Sequence, residues 1–544
     1  MFFYKSLARK RKFLFIRRYN NLAKTLIIKN NNVVLQKEYQ FNMSYKNSCT
    51  NHLYSLKNKM CHWIKLNRHC FSTVKNTGRG LPAPQYDYNH LVNNLEYVSE
   101  NIKNRKCPGN PDFIAKTYIE YKQKITELDR LRQNRNKLSK QNKNSRDDKE
   151  KMDLLRKEGQ QIKVDIKELT QTTDNLFKIL QHEMGKIPND THPSSPIGEE
   201  SNAIEVKQFG TKPDLNDSNN HFLDHVEICS KYDLLDFDAG VRVAGSKFLF
   251  FKNDAVLLEL ALVNWVMNEL SGTSSSTLSK LNISKSFIPV ITPDVALADI
   301  VERCGFLPRE QEDEEEDAPS HIYNIKNTEL SLIGTSEIPL AGSKAGLKLD
   351  PDTLPLKYVG FSHCFRAEAG ASGLLNKGLY RMHQFSKVEM FAFCNKIESD
   401  DVLHEIVDIQ VELISKLGLH GRGLDMTTEE LGAAAYRKFD VEVFMPGRKE
   451  YGEVCSASNC TDYQSRRLGY AVREEDVLLF CGGWGLRKKE ETRDRSSGSA
   501  VCTVVSIHYS SVVVYSVFRV LVVSGDVVSL YTISYTTYLF IILS

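Results

Sequence analysis

An α+β fold with an antiparallel helical hairpin near its N-terminal side is what this sequence predicts, on three observations. Two successive stretches, 112–141 and 152–180, carry apolar residues at alternating spacings of three and four. Two apolar-rich runs, 356–366 and 383–393, flank a loop rich in glycine and small residues (Gly370, Gly373, Gly378), the pattern of two paired antiparallel strands. At 544 residues the chain is long enough for two or more domains, and its composition is ordinary for a soluble protein.

The hairpin is read from its seam. A short helical lead-in over 86–105 is broken by Pro108, Gly109 and Pro111. The first long helix then places Ile114, Tyr118, Tyr121, Ile125, Leu128, Leu131 and Leu138 on one face. The polar stretch 143–148 makes a turn, and the second helix continues the pattern with Met152, Leu155, Ile162, Ile166, Leu169, Leu176 and Leu180. Each helix covers roughly 45 Å at 1.5 Å per residue. One narrow apolar seam and no other core is expected, so the hairpin should project as a coiled-coil arm. Arg130, Arg132 and Arg135 stand among many lysines on its exposed faces. Such a basic rod suits either an RNA backbone or plain solvation, and spacing alone leaves both open.

Net charge is only +4, so nucleic-acid binding must come from local patches. Twelve cysteines are scattered without a CxxC pair; they read as reduced thiols, and no zinc site is expected. Before Asp87 the one acidic residue is Glu38, amid recurrent Arg, Lys, Ser and Asn. That basic segment, 1–85, reads as a mitochondrial transit segment or a disordered arm.

IPNDTHPSSPIGEE, from Ile187, marks a linker over 187–204. A second domain is expected over 205–470. Within it, 243–251 reads as a tight turn into a strand, 255–270 as a well-buried helix, and FIPVIT at 287–292 as a short buried strand stopped by Pro293. The acidic run EQEDEEED at 310–317 reads as an exposed loop.

The stretch CFRAEAGASGLLNKGLYRMHQFSKVEMFAF, from Cys364, places charges where loop meets strand: Arg366 and Glu368 entering, Arg381, Lys387 and Glu389 leaving. Arginines at the rims of a mobile loop suit a polyphosphate. From spacing alone a surface hairpin with solvated charges fits as well.

The motif FRAEAGASG…GLYRMHQFSKVEMF closely resembles motif 2 of the class II aminoacyl-tRNA synthetases, in the version of seryl-tRNA synthetase. GTSEIPL at 334–340 resembles that family's serine-binding segment, and GEVCSASNCTDYQSRR at 452–467 its ATP- and metal-binding strand. LGAAAYRKFDVEVFMPGR is nearest to the mitochondrial branch. The resemblance covers about 86–468. It implies an arm (86–186) that grips serine tRNA, and a class II catalytic domain built on a mainly antiparallel sheet flanked by helices. It further implies a homodimer, no stable membrane association, and a place in the mitochondrial matrix.

The implied reaction is ATP-dependent activation of L-serine to seryl-adenylate, then transfer to serine tRNA. By motif position, Thr335, Ser336 and Glu337 line the serine pocket, with Glu337 and Glu389 on the ammonium and hydroxyl. Arg366 bridges the serine carboxylate and the α-phosphate, and Glu368, next to Ala367, accepts from the adenine amino group. Phe385 stacks on adenine, Met382 reaches it through the backbone, and Arg381 faces the phosphates. Glu453 and Ser456 hold Mg²⁺, with Val454 and Cys455 between them. The implied catalytic set is Arg366, Glu368 and Glu453.

After Arg467 the resemblance fails: no Gly-rich strand with its arginine, the family's motif 3, is visible. The tail, 471–544, reads as a mis-spliced or non-family end, a β-rich extension, or a weak membrane anchor. A catalytically inactive synthetase-like protein binding RNA or a partner is therefore the alternative function. Replacing Arg130, Arg132 and Arg135 together by Glu is expected to weaken tRNA binding in a filter assay and to leave amino-acid activation intact. Unchanged tRNA affinity would contradict the arm's role.

Overall fold

The computed structural model describes residues 80–472 except 145–148, 217–221, 273–274, 307–321, 368–378 and 380, together with strand residues 28–29, 32–33 and 499–502. Most of the basic N-terminal segment, the acidic run at 310–317, Glu368 and most of the tail lie outside the described residues. Residues 1–80 form one unit, in which Ile28–Lys29 pairs with Asn32–Val33, and 81–544 form another.

The hairpin is present as helices Pro111–Asn144 and Lys149–Lys186, about 51 and 57 Å long at 1.5 Å per residue. Ile114, Leu128, Ile162 and Leu180 are buried along the seam, as the spacing requires. The base departs from expectation. Two lead-in helices, Tyr88–Asn93 and Leu95–Asn104, fold against it, so Leu91, Val98 and Ile102 join Ile114, Leu180, Met184 and Ile187 in a small core. The arm therefore has a packed root as well as a seam.

The expected linker is a pinned strap. Asn189 is buried, and its side-chain amide donates to the carbonyls of Ala434 (3.0 Å) and Cys460 (2.9 Å). From the lead-in, Arg105 donates to the carbonyls of Asn189 (2.9 Å), Gly432 and Ala435 (2.9 Å). Burial pulls its guanidinium below the usual arginine range. The arm root is thus joined to the body by bonds from the buried Arg105 charge, each contributing about 1.5–3 kcal/mol, and the strap by neutral Asn189 bonds of about 1 kcal/mol each.

The catalytic body has two four-stranded sheets. In the first, Leu356–Phe365 pairs antiparallel with Gln384–Cys394 and parallel with Ile288–Ile291. The second runs Glu450–Asn459, Arg437–Met445, Gly421–Asp425, Ile204–Phe209, antiparallel throughout. Ser499–Cys502, from the stretch expected to lie outside the domain, pairs antiparallel with Phe391–Cys394 and also lies against Glu450–Asn459. It occupies the seam between the sheets.

Helix Ser399–Lys416 covers one face. Val402, Leu403, Ile406, Ile409, Leu413 and Ile414 recur at helical spacing and pack on Val388, Met390, Val441 and Val454. Helix Asp254–Ser271 and strand Ile288–Ile291 form where expected, but neither is fully buried in the single chain. Leu257 and Leu260 are exposed, and Ile291 is 83% exposed. The helix fully buries only Ala255, Leu262, Val266 and Leu270, and among the described residues nothing covers Leu257 and Leu260 on its other side.

Candidate active site

Strand Gln384–Cys394 is buried on both faces, and its period of two sorts the side chains. Val388, Met390, Ala392 and Cys394 enter the core beneath helix Ser399–Lys416. Phe385, Lys387 and Glu389 take the other face. Their cross-strand partners are Cys364, Ser362 and Gly360. A side chain at Gly360 would press on Leu340 Cδ1 at 3.3 Å, with Ser336 Oγ close by, so the missing side chain leaves room for the segment above.

That segment is Gly334–Glu337, carried from strand Leu330–Leu332 into helix Glu337–Gly342. Glu389 is fully buried beneath it. Its carboxylate accepts from Thr335 Oγ1 (2.9 Å to each oxygen), from Ser336 Oγ, and from the Glu337 amide (3.0 Å) at the helix start. Lys387, also fully buried, donates from Nζ to Thr335 Oγ1 at 2.6 Å and lies 3.5 Å from Glu389 Oε2. Glu337 accepts from the side-chain amide of Gln464 on helix Tyr463–Leu468. The two carboxylates expected to face serine are therefore held in place by a preformed hydrogen-bond network.

Arg366 leaves the neighbouring strand half-buried. Its Nε donates to the Gly334 carbonyl (3.4 Å), and its guanidinium lies 5.1 Å over the Phe385 ring. His383 donates from Nδ1 to the Arg366 carbonyl (2.9 Å) and stacks on Phe248, which locks the strand ends. Ala367 and Met382 are half-buried at the loop mouth, and Arg381 is exposed there. The structure thus gathers Thr335, Ser336, Glu337, Glu389, Arg366 and Phe385 at one place.

Glu453 and Ser456 belong to the second sheet. Residues three apart in a regular strand point to opposite faces. Here a bulge opposite Val441 and Glu442 inserts one residue, so Glu453 pairs with Glu442 while Ser456 pairs with Asp440. Val454 and Cys455 both turn into the core, and Glu453 and Ser456 emerge on the same open face. Burial pushes the Cys455 thiol up, so it stays protonated.

Carboxylates directly opposite each other repel. The Glu442–Glu453 pair is partly relieved by Arg422, which donates to Glu442 at 2.7 Å. Asp440 is buried next to them. Burial pushes its carboxyl up to about 8, with Glu453 and Glu442 acting in the same direction against Lys438, which bonds it at 2.7 Å. One Asp440 oxygen has no hydrogen-bond partner. Glu453 and Ser456 present oxygens on this open face, the donor type that a hard divalent cation takes. No group of three or more metal-ligating side chains exists among the described residues, so most ligands would come from elsewhere.

Arg130, Arg132 and Arg135 lie exposed on the first arm helix, with Arg132 3.3 Å from Asp129. Sequence reasoning placed Lys387 only at a loop rim and missed Gln464. The alternation Phe385–Lys387–Glu389 carried the signal for the first. Nothing local marked the second, since its partner is 127 residues away. No helix among the described residues is long and apolar enough to cross a membrane.

Comparison with known proteins is consistent over both regions. Residues 86–191 match the seryl-tRNA synthetase N-terminal domain, and 322–487 match the tRNA synthetase class II core domain (G, H, P, S and T). The chain is 40% identical over 393 residues to a serine–tRNA ligase of Treponema denticola, covering 72% of this chain and 88% of that protein. A serine–tRNA ligase of Rubrobacter xylanophilus is 38% identical over 390 residues, 72% and 87% of the two chains. Among solved structures, seryl-tRNA synthetase from Pyrococcus horikoshii complexed with ATP superposes with a TM-score of 0.65 at 30% identity, covering 79% of this chain and 93% of that one. The cytoplasmic serine–tRNA ligase of Naegleria fowleri shares the fold, with a TM-score of 0.62 at 24% identity.

Proposed function

Since the chain belongs to the seryl-tRNA synthetase family and is an aminoacyl-tRNA ligase, we propose that it activates L-serine with ATP and transfers the seryl group to serine tRNA in mitochondria. The observation that carries this reading is the buried Thr335–Ser336–Glu337–Glu389 network beside Arg366.

The serine carboxylate is already a nucleophile, so the first step needs no protein nucleophile. It needs the carboxylate in line with the α-phosphate and the developing charge compensated. Arg366 supplies that compensation, and its place over Phe385 sets the guanidinium next to the surface that stacks adenine. Glu368 and the Met382 backbone read the adenine edge, and Arg381 meets the phosphates. Glu337 takes the serine ammonium and Glu389 its hydroxyl. A site built around a substrate hydroxyl rejects the analogue lacking it by roughly 10⁴ or more. Glu453 and Ser456 would hold Mg²⁺, which would supply neutralisation of phosphate charge there. The second step carries the seryl group from adenylate to the tRNA 3′ end, with the arm holding the tRNA.

The exposed apolar surface of Leu257, Leu260, Ile288 and Ile291 supports a homodimer. The acid-poor segment 1–85 supports mitochondrial import. Arg366→Ala is expected to lower serine-dependent ATP–pyrophosphate exchange by at least about 100-fold; a loss below about tenfold contradicts its role. Sedimentation of the full chain should give a dimer that Leu260→Asp converts to monomer, and a monomeric wild type would refute the interface. A fluorescent protein fused after residue 85 should enter mitochondria, and a diffuse cytosolic signal would exclude that compartment.

A further inference from the structure

Lys387 stands outside every role assigned above, yet it is one of the largest fully buried side chains among the described residues. A lysine ammonium is seldom carried out of water unless a partner charge holds it there. Its surroundings are the serine pocket's own groups. Nζ donates to Thr335 Oγ1 at 2.6 Å and lies 3.5 Å from Glu389 Oε2. The Thr335 hydroxyl has one proton. Accepting from Lys387 forces that proton toward Glu389, whose oxygens lie 2.9 Å away. Lys387 thus fixes which way the hydroxyl points, and supplies the positive charge nearest to a carboxylate that has left water.

We propose that Lys387 is a positioning residue for the serine pocket: its ammonium lies against the buried Glu389 carboxylate and orients the Thr335 hydroxyl, so that Glu389 is ready to accept from serine. The inference rests on the serine–tRNA ligase reading. Lys387 acts through Glu389 and Thr335, and its effect is confined to serine rather than ATP, whose groups face Arg366 and Phe385. Strand geometry supports the separation. Lys387 and Glu389 are neighbours on one face, while Ser362 and Gly360 opposite them are too small to replace either group.

The test is serine-dependent ATP–pyrophosphate exchange with the full chain, comparing wild type, Lys387→Met, Glu389→Gln and the double variant. Lys387→Met should lower kcat/KM for serine at least about 100-fold while the KM for ATP stays within about threefold. In the Glu389→Gln background, where no carboxylate needs compensation, Lys387→Met should cost less than about threefold more. Additive losses, or an equal rise in the ATP KM, would show a merely structural role and overturn the proposal. If Lys387→Met alone fails to fold, the neutral double variant should fold, and its failure would likewise overturn the proposal. Wild-type chain without serine-dependent exchange would overturn the ligase reading itself. Wild-type exchange with an unaffected Lys387→Met would overturn this inference alone.

Discussion

Glu389 is a carboxylate taken fully out of water, and much of the site's architecture answers that constraint. Removing a carboxylate from water costs several kcal/mol even after relaxation. Two hydroxyls, a backbone amide at a helix start and a lysine ammonium converge to offset it. Each comes from the elements around strand Gln384–Cys394, so strand, serine segment and helix Glu337–Gly342 must sit together for the charge to be tolerated. The network that offsets the buried charge therefore also ties these three elements of the fold together.

The same helix that reaches the site also holds the arm. Gln464 donates to Glu337 inside the pocket. Three residues on, Arg467 packs over the Tyr463 and Tyr86 rings and donates to the Ile187 carbonyl at 3.1 Å, where arm becomes strap. Arg105 and Asn189 complete the joint from the other side. The arm is therefore rooted on the same helix that holds Glu337 in place.

Much of this was legible in the sequence because it is written in periodicity. The heptad seam gave both arm helices, and the motif-like stretches picked out Thr335, Arg366 and Glu389, which the structure brings together. The packed root of the arm was hidden, because it depends on the lead-in helices folding back. The burial of helix Asp254–Ser271 was overestimated, because an apolar face reads the same whether it meets the chain's own core or a second copy. The bulge that brings Glu453 and Ser456 to one face is set by register with Glu442 and Asp440, which no local pattern reports. A β-rich extension was one reading of the tail, but the pairing of Ser499–Cys502 with Phe391–Cys394 was hidden, because the two segments are far apart in sequence.

The most direct test is pyrophosphate exchange by the full chain with each of the twenty amino acids in turn. The buried Glu389 network predicts exchange with serine alone, with alanine rejected by roughly 10⁴ or more because it leaves that network's polar groups unanswered. Exchange with alanine at a kcat/KM comparable to serine would contradict the account.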